Sequence, residues 1–193
     1  AYDPEVIERD LSRIQGLGLN AVSTAIMADD AKAQHLLDFL RRCDAHGLKV
    51  NLHPGVHLSP MDDDWSKALD ILRHYRVWQH DTLFAFDLAW ELNLGTHVQR
   101  RRWDSQWVDW ISERYGSIEA AEDDWGCQLP RDETGMITNP PAGQFESDGP
   151  WRSMIAAYRR FMDTLSYRRF SEARRQIRAL APRQMVSFRM AEA

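Results

Sequence analysis

Segments with the pattern of β-strands alternate along this chain with segments that have the pattern of α-helices. The strand-like segments are residues 19–26, 48–53, 83–91 and 185–190. Each of them follows a stretch whose apolar residues recur at the three- and four-residue spacing of a helix. Strands that are separated by helices usually pair in parallel through right-handed crossovers. We therefore predict an α/β fold with about four parallel strands.

The predicted helices and the longest loop have recognisable boundaries. Asp3 and Pro4 predict the N-cap and first turn of the first helix. A long helix is predicted from Pro150 to just before Pro182, with a break near residues 166–171. The Pro- and Gly-rich residues 128–149 exceed the length of an ordinary connection. We favour a loop that packs over a site, with simple disorder as the alternative.

Three of the four strand-like segments separate polar from apolar side chains at alternate positions. Asp87 and Glu91 fall on one face of the third segment, and the second places Asn51 and His53 on its polar face. Arg189 lies on the polar face of the fourth segment. The apolar side chains opposite Asp87 and Glu91 are Phe84, Phe86, Leu88 and Trp90. An open parallel sheet that is covered on both faces shows continuous apolar runs instead.

A (β/α)8 TIM barrel explains this division of the strands, because one face packs on helices and the other points to the barrel axis. No nucleotide-binding glycine motif follows any predicted strand, which argues against a doubly wound sheet. Four strands are half of such a barrel, whose usual length is about 250 residues. We predict that residues 1–193 form a single partial barrel from a longer chain. The alternative is a half that pairs with an oligomer partner in place of the missing half of the barrel.

Composition excludes several classes of protein. With 44% hydrophobic and 27% charged residues, the chain has the composition of a globular domain. The net charge of −5 predicts no nucleic-acid partner, and the cluster Arg100–Arg102 is interpreted as a solvated helix face. Cys43 and Cys127 are too few for a disulfide framework. No apolar run approaches the roughly 18 residues of a membrane span, so no membrane partner is predicted.

The beginning of the sequence leaves localisation open. No signal peptide is visible, and the chain starts at Ala1 without a Met. We therefore expect that the natural N-terminus is absent.

Several motifs together resemble a known group of enzymes. A strand ending in FDLAWE is followed by WISERYGSIEAAEDDWG, residues 110–126. This pair resembles the retaining glycoside hydrolases of clan A, which are built on TIM barrels, and the likeness is strongest to the family 42 β-galactosidases. The run DLSRIQGLGLNAVS looks like the first helix and second strand of that clan. LKVNLHPG is similar to the third strand of the family 5 cellulases and mannanases. The likeness covers most of the chain, as units two to five of eight.

The resemblance implies a hydrolase that cleaves β-linked sugars in an oligo- or polysaccharide and needs no cofactor. In that clan the acid/base is a Glu at the end of the fourth strand, the place that Glu91 occupies here. The nucleophile lies on the seventh strand, which would fall beyond residue 193. Trp90 stands where the clan has Asn, and Ser23 or Thr24 stands where it commonly has Arg. The alternative function is therefore a degenerate or non-catalytic carbohydrate-binding barrel.

Strand geometry limits which carboxylates can act together. Retaining hydrolysis needs two carboxyl groups about 5 Å apart. Asp87 and Glu91, four residues apart on one strand, would be about 13 Å apart and cannot be that pair. Glu192 is a local alternative to the distant nucleophile. Asp87 is predicted to be a buried partner of Lys49 or Arg189, because a buried charge needs a partner.

Other residues near the predicted strand ends are candidates for contacts with substrate. His53 is interpreted either as a ligand of a sugar hydroxyl or carboxylate, or as a hydrogen-bonded core histidine. His53 and His57 form an H-x3-H pattern, but Pro54 and Gly55 lie between them, so no metal is predicted. The predicted substrate-binding residues are His53, His57, Trp90, Asn93 and Arg189. The residues with predicted structural or supporting roles are Asn51, Asp87 and Glu192.

Two further interpretations concern the tryptophans and a different chemistry. Trp103, Trp107 and Trp110 recur at helical spacing and are predicted to be core residues, whereas a contact between Trp125 and substrate is left open. A third interpretation is an unrelated TIM-barrel enzyme that uses Lys49, Asp87 and Arg189 for carbonyl or phosphate chemistry.

Overall fold

A computed structural model of the chain describes residues 2–25, 30–54, 59–89 and 95–188. The chain forms two compact units. Unit 1 comprises Ala1–Leu92 and Arg168–Ala193, and unit 2 comprises Asn93–Tyr167. The helices in the described residues are α1 (Pro4–Gly16), α2 (Asp30–Ala45), α3 (Trp65–Tyr75), α4 (His97–Arg100), α5 (Asp104–Tyr115), α6 (Ile118–Trp125), α7 (Ala142–Glu146) and α8 (Arg152–Leu180).

Unit 1 contains a parallel sheet of four strands. The strands are β1 (Ala21–Ala25), β2 (Lys49–His53), β3 (Leu83–Asp87) and β4 (Met185–Ser187). Their spatial order, β1-β2-β3-β4, is the order in which they occur in the chain. The predicted α/β class and the four parallel strands are thereby confirmed. A doubly wound sheet reverses its strand order at a switch point, and this sheet shows no reversal within the described residues.

Helices cover the apolar side chains of the strands. Val50, Leu52 and Phe86 are fully buried. Leu40 and Leu72, which lie on α2 and α3, are buried as well. Complete burial of a side chain of this size contributes about 1.5–3 kcal/mol, so the burial of these side chains stabilises the unit.

The first helix begins as its sequence predicts. Asp3 is the N-cap of α1, and its side chain accepts hydrogen bonds from the backbone N–H groups of Glu5 and Val6 at 3.0 and 3.2 Å. The carboxylate satisfies donors that the first turn of a helix leaves without intrahelical partners.

The third strand departs from the predicted pattern in two respects. Val50 pairs with Leu83 and Asn51 pairs with Ala85, so Phe84 is an extra residue in the ladder. Such a bulge interrupts strict alternation, and Phe84 is half-buried although it was predicted on the apolar face. The strand also ends at Asp87 and does not continue through residues 88 and 89.

The predicted break in the last long helix is wrong. Helix α8 is continuous over 29 residues, and neither Pro nor Gly occurs within it. Buried apolar side chains recur at helical spacing beyond the expected break, at Phe170, Ala173 and Ile177. A continuous apolar stripe of this kind sustains a helix through a locally polar segment.

Unit 2 is built around aromatic side chains. Trp107 is fully buried; its ring stacks on Trp125 at a centroid distance of 5.9 Å and meets Tyr158 edge-on at 5.1 Å. Trp103 and Trp110 are also buried, which confirms that the tryptophans of this segment are core residues.

Candidate active site

The carboxyl ends of β2 and β3 bring two polar side chains together. The ladder pairs Leu52 with Phe86, so the next residues, His53 and Asp87, are neighbours at the ends of adjacent strands. Ala25 lies beside His53 on β1, and Ser187 lies beside Asp87 on β4. These four residues form a row across the carboxyl edge of the sheet, which we call the edge row.

His53 is held by a backbone hydrogen bond. Its Nδ1 lies 2.7 Å from the carbonyl oxygen of Asp87, and the side chain is buried. A carbonyl oxygen can only accept, so Nδ1 must carry a proton. In the neutral ring this leaves Nε2 as a hydrogen-bond acceptor. Of the two interpretations of His53 from the sequence, the hydrogen-bonded core histidine describes Nδ1. In the neutral ring, Nε2 can still accept a hydrogen bond from a ligand.

Asp87 is buried, with 1% of its surface exposed. The predicted ion pair with Lys49 is wrong, because Lys49 begins β2, whereas Asp87 ends the neighbouring parallel strand. The Lys49 ammonium instead donates to the backbone carbonyl oxygen of Asp81 at 2.9 Å. Because Lys49 and Asp87 lie at opposite ends of neighbouring strands, they do not form the joint site that carbonyl or phosphate chemistry would need. The other predicted partner, Arg189, lies outside the described residues.

Two residues before the edge row, β1 and β2 also carry polar side chains. Asn51 pairs with Ser23 across the ladder, and its Nδ2 donates to the Ser23 hydroxyl over 3.4 Å, a long hydrogen bond. The Oδ1 atom of Asn51 is buried and has no hydrogen-bond partner among the residues that the structure describes. Val50 and Leu52 face the opposite way and are fully buried, as the alternation predicted.

Most of the predicted site residues lie outside the described residues. They are His57, Trp90, Glu91, Asn93, Arg189 and Glu192. The predicted separation of 13 Å between Asp87 and Glu91 assumed that both residues lie on one strand. Because β3 ends at Asp87, that assumption does not hold. Of the predicted site residues, the structure brings together His53 and Asp87, with Asn51 two residues before His53 on β2.

Unit 2 contains a buried polar network centred on Asn139. Its amide nitrogen donates to the carbonyl oxygen of His97 at 3.2 Å and to Asp104 Oδ1 at 2.9 Å. Its Oδ1 accepts from His97 Nδ1 at 2.9 Å and from Arg100 Nε at 3.2 Å. The backbone N–H of Asn139 also donates to Asp104 Oδ1 at 2.9 Å. Asn139 is fully buried, and every polar atom of its side chain is satisfied.

Arg100 is part of the same network, which corrects the interpretation of Arg100–Arg102 as a solvated face. Arg101 and Arg102 are exposed, but Arg100 is half-buried. Its guanidinium donates to the carbonyl oxygens of Gly95 and Pro140 at 2.6 and 3.1 Å and lies 4.7 Å from the ring centre of Phe145.

Residues 128–149 form an ordered segment of unit 2 rather than a disordered loop. Arg131 and Ile137 form an antiparallel bridge around a turn at Asp132. The Asp132 carboxylate accepts from the hydroxyl and backbone N–H of Thr134 and from Arg101, at 2.6, 2.9 and 2.5 Å. These hydrogen bonds, that of the Thr134 hydroxyl above all, lower the pKa of Asp132 to about 2. The expectation that this segment packs over a site stays a prediction.

Trp125, whose contact with substrate was left open, is a core residue. It is 5% exposed, and its indole N–H donates to the hydroxyl of Tyr115 at 3.2 Å.

The described part of the chain contains neither a candidate metal centre nor a candidate membrane span. Among those residues, no group of three or more His, Cys, Asp or Glu side chains could hold a metal ion. No helix in the same part of the chain is long and apolar enough to cross a bilayer.

Sequence reasoning missed Asn139 and Arg100. The only local signals are weak: Asn139 precedes two prolines, and Arg100 follows the capping-box pattern of Thr96 and Gln99. The partners of Asn139 lie 35 to 42 residues away in the chain, which no local pattern encodes.

Comparison with known proteins gives a distant structural likeness. No protein-family model matches the chain. No curated protein matches it in sequence. Among solved structures, the crystal structure of the β-glycosidase BGL167 matches with a TM-score of 0.43 and 18% sequence identity. The match covers 96% of this chain and 45% of that protein, so the chain spans less than half of its length.

Proposed function

We propose that the chain is part of a retaining β-glycoside hydrolase in which Glu91 is the acid/base. One observation carries the proposal: His53 and Asp87 meet at the carboxyl ends of adjacent parallel strands, and Glu91 follows Asp87 by four residues. The carboxyl ends of barrel strands are where TIM-barrel enzymes place their active sites. The motif resemblance assigns Glu91 the same role independently of this contact.

The proposed architecture is half of a (β/α)8 barrel. Its support is the strand order, in which four parallel strands follow one another without reversal. The apolar faces of β2 and β3 are buried while Asn51 and His53 lie on the other face, as expected of strands that line a barrel axis. The remaining strands would come from the missing half of the barrel.

The proposed mechanism uses two carboxyl groups in two steps. Glu91 protonates the leaving glycosidic oxygen while a carboxylate from a later strand attacks the anomeric carbon. The covalent glycosyl intermediate is then hydrolysed by water, from which Glu91 removes the proton. Because its Nδ1 proton is committed to the Asp87 carbonyl, neutral His53 would accept a hydrogen bond from a sugar hydroxyl through Nε2. The substrate class is a β-linked oligo- or polysaccharide.

The experiment that tests this proposal is Glu91→Gln in the full-length protein, with Glu113→Gln as the matched control. Glu113 is an exposed residue of α5. We expect kcat/KM for unactivated β-glycosides to fall by about 10²–10⁴ in Glu91→Gln, the usual contribution of a general acid. Dinitrophenyl β-glycosides, whose leaving group needs no protonation, should keep most of their glycosylation rate. Proton NMR of the first product should show retention of the β-anomer.

Wild-type rates on unactivated substrates in Glu91→Gln would contradict the role of Glu91. The alternative of a degenerate, carbohydrate-binding barrel is motivated by Trp90, which replaces the expected Asn. Sugar binding in calorimetry without any product from the wild-type protein over a long incubation would favour that alternative.

A further inference from the structure

The part of unit 1 that contains the end of α8 carries a strong local positive charge. Residues 168–183 include six arginines and one glutamate, a net charge of +5. The whole chain has a net charge of −5, so the other residues together carry −10. Charges separated in this way create a local potential that attracts an anionic partner, although the protein as a whole is acidic.

Four of these arginines lie on one side of the helix. Arg168 and Arg175 are seven residues apart, which is two helical turns, and Arg174 and Arg178 lie one turn apart beside them. Arg178 is half-buried and the other three are exposed. The set covers about 15 Å along the helix axis. We call these four residues the arginine stripe.

The opposite side of the same helical segment is buried. Phe170, Ala173 and Ile177 are at most 9% exposed and recur at helical spacing. Because this apolar side packs against the rest of unit 1, the arginine stripe faces solvent.

Most of the charge on the arginine stripe is not compensated by the protein. Within the part of the chain that the structure describes, neither Arg168 nor Arg174 forms an ion pair or a hydrogen bond. Arg175 pairs with Glu172 at 2.5 Å, and Arg178 donates to a neutral backbone carbonyl at 2.9 Å. An exposed ion pair contributes little and opens readily, so the guanidinium groups remain available to a partner.

The arginine stripe lies away from the edge row. Arg183, three residues after α8, lies 3.6 Å from Asp81, which precedes β3 by two residues. The C-terminal end of α8 is therefore at the amino ends of the strands, whereas His53 and Asp87 are at the carboxyl ends. A ligand on the arginine stripe would occupy a separate surface of unit 1.

The shape and charge of this surface indicate the class of ligand. A guanidinium group binds a carboxylate through two parallel hydrogen bonds. One helix face is narrow, and guanidinium groups at intervals of one and two turns suit a linear polymer with repeated carboxylates. A nucleic-acid duplex is broader and more highly charged, and it would also meet the negative charge that the rest of the chain carries.

We propose that the arginine stripe binds a polysaccharide whose sugars carry carboxylate groups. This inference rests on the proposed function, because it specifies the charge of the β-linked polysaccharide on which the hydrolase acts. A polymer held at a second surface is present at a raised effective concentration for the active site of the same molecule. The arginine stripe should therefore lower KM for a long anionic substrate and leave kcat unchanged.

The test measures binding of carboxymethyl cellulose by calorimetry in full-length Glu91→Gln protein, which keeps the polymer intact. Uncharged hydroxyethyl cellulose is the matched polymer. The double change Arg168→Gln and Arg174→Gln removes two exposed charges that have no partner among the described residues. The control double change, Arg9→Gln and Arg13→Gln, alters the net charge equally at exposed positions on α1.

We expect the dissociation constant for carboxymethyl cellulose to rise about three- to thirtyfold in the Arg168/Arg174 variant. The control variant should stay within about twofold of the parent protein, and hydroxyethyl cellulose should bind all three proteins alike. Arg168→Lys with Arg174→Lys should recover most of the affinity, because it retains the charge.

Three results would overturn the inference. Equal weakening in the α1 control variant would mean that only the net charge matters. A Lys variant that binds as poorly as the Gln variant would indicate a disturbed helix rather than a lost charge. Tighter binding to single-stranded oligothymidylate than to carboxymethyl cellulose, at the same ionic strength, would indicate a nucleic-acid partner.

The arginine stripe and the proposed function fail separately. The proposed function fails if Glu91→Gln keeps wild-type rates, which leaves the binding measurement intact. The arginine stripe fails if carboxymethyl cellulose is hydrolysed but the Arg168/Arg174 variant binds it as the parent does. In the protein with Glu91 present, that variant should raise KM for carboxymethyl cellulose about three- to thirtyfold, with kcat and the hydrolysis of short neutral glycosides unchanged.

Discussion

His53 donates a hydrogen bond from Nδ1 to the backbone carbonyl oxygen of Asp87 over 2.7 Å. The bond joins the carboxyl ends of two parallel strands, and both residues are buried. It determines the tautomer of the neutral ring, because a carbonyl can only accept. Nδ1 therefore has a structural role, and in the neutral ring Nε2 carries the lone pair that can accept a hydrogen bond.

Replacement of His53 by Ala should destabilise unit 1. The change leaves the buried carbonyl of Asp87 without its donor, a loss of about 1–3 kcal/mol in the free energy of unfolding. His53→Asn, which retains a donor near the position of Nδ1, should recover part of that loss. Urea-induced unfolding followed by circular dichroism measures both, with the exposed His74→Ala as the control. Equal midpoints for His53→Ala and the wild type would show that the hydrogen bond contributes nothing.

Asn139→Ala should be among the most destabilising single changes in unit 2. It leaves His97 Nδ1 and Arg100 Nε without the acceptor that they share, and it removes one of the two donors to Asp104 Oδ1, which keeps only the backbone N–H of residue 139. We expect a loss of at least about 2 kcal/mol, because each unsatisfied buried polar group costs about 1–3 kcal/mol. The exposed Asn20→Ala should stay within about 0.5 kcal/mol of the wild type in the same chemical unfolding experiment.

An unfolding free energy for Asn139→Ala close to that of Asn20→Ala would mean that water replaces the amide at little cost. The network around Asn139 would then not be rigid.

Local rules predicted those parts of the fold whose causes are local. Asp3 caps its helix through neighbours two and three residues away. Alternation assigned Val50 and Leu52 to the core and Asn51 and His53 to the other face, because the side-chain period of a strand is two. The same rules also placed His53 at a strand end, but they placed Asp87 inside a strand that was predicted to run to residue 91. The contact between His53 and Asp87 has no local signal.

The remaining features depend on contacts that are distant in sequence. Alternation alone cannot locate the bulge at Phe84, because the bulge is a property of the pairing of β2 with β3. The burial of Arg100 depends on Asn139 and Pro140, about 40 residues later. A run of three arginines has the pattern of a solvated face unless those partners are known.

The two cysteines should differ in reactivity. Burial raises the pKa of Cys43 to about 12, and the pKa of the less buried Cys127 is raised by burial and by the Glu122 carboxylate. Because the thiolate is the reactive form, Ellman's reagent should modify Cys127 first and Cys43 only after unfolding. In Cys127→Ser, the rate at which Ellman's reagent modifies Cys43 should rise with the urea concentration. Modification of both thiols at one rate in native buffer would be inconsistent with the burial of Cys43.

The turn at Asp132 should respond to pH in a defined window. The hydroxyl of Thr134 is the main cause of the lowered pKa of Asp132, about 2 in the folded protein. A carboxyl group with a lowered pKa stabilises the folded state at pH values above its unfolded pKa of about 3.9, and this contribution disappears as the pH falls through the folded value. Thr134→Val removes the hydroxyl and should raise the pKa of Asp132 toward its ordinary value, as measured by carbon-13 NMR titration of the carboxyl group. Thr164→Val, at an exposed hydroxyl on α8 that donates to the Arg160 carbonyl, should leave that titration unchanged. If the pKa of Asp132 is the same in Thr134→Val as in the wild type, the guanidinium of Arg101 and the backbone donors must hold the carboxylate without Thr134.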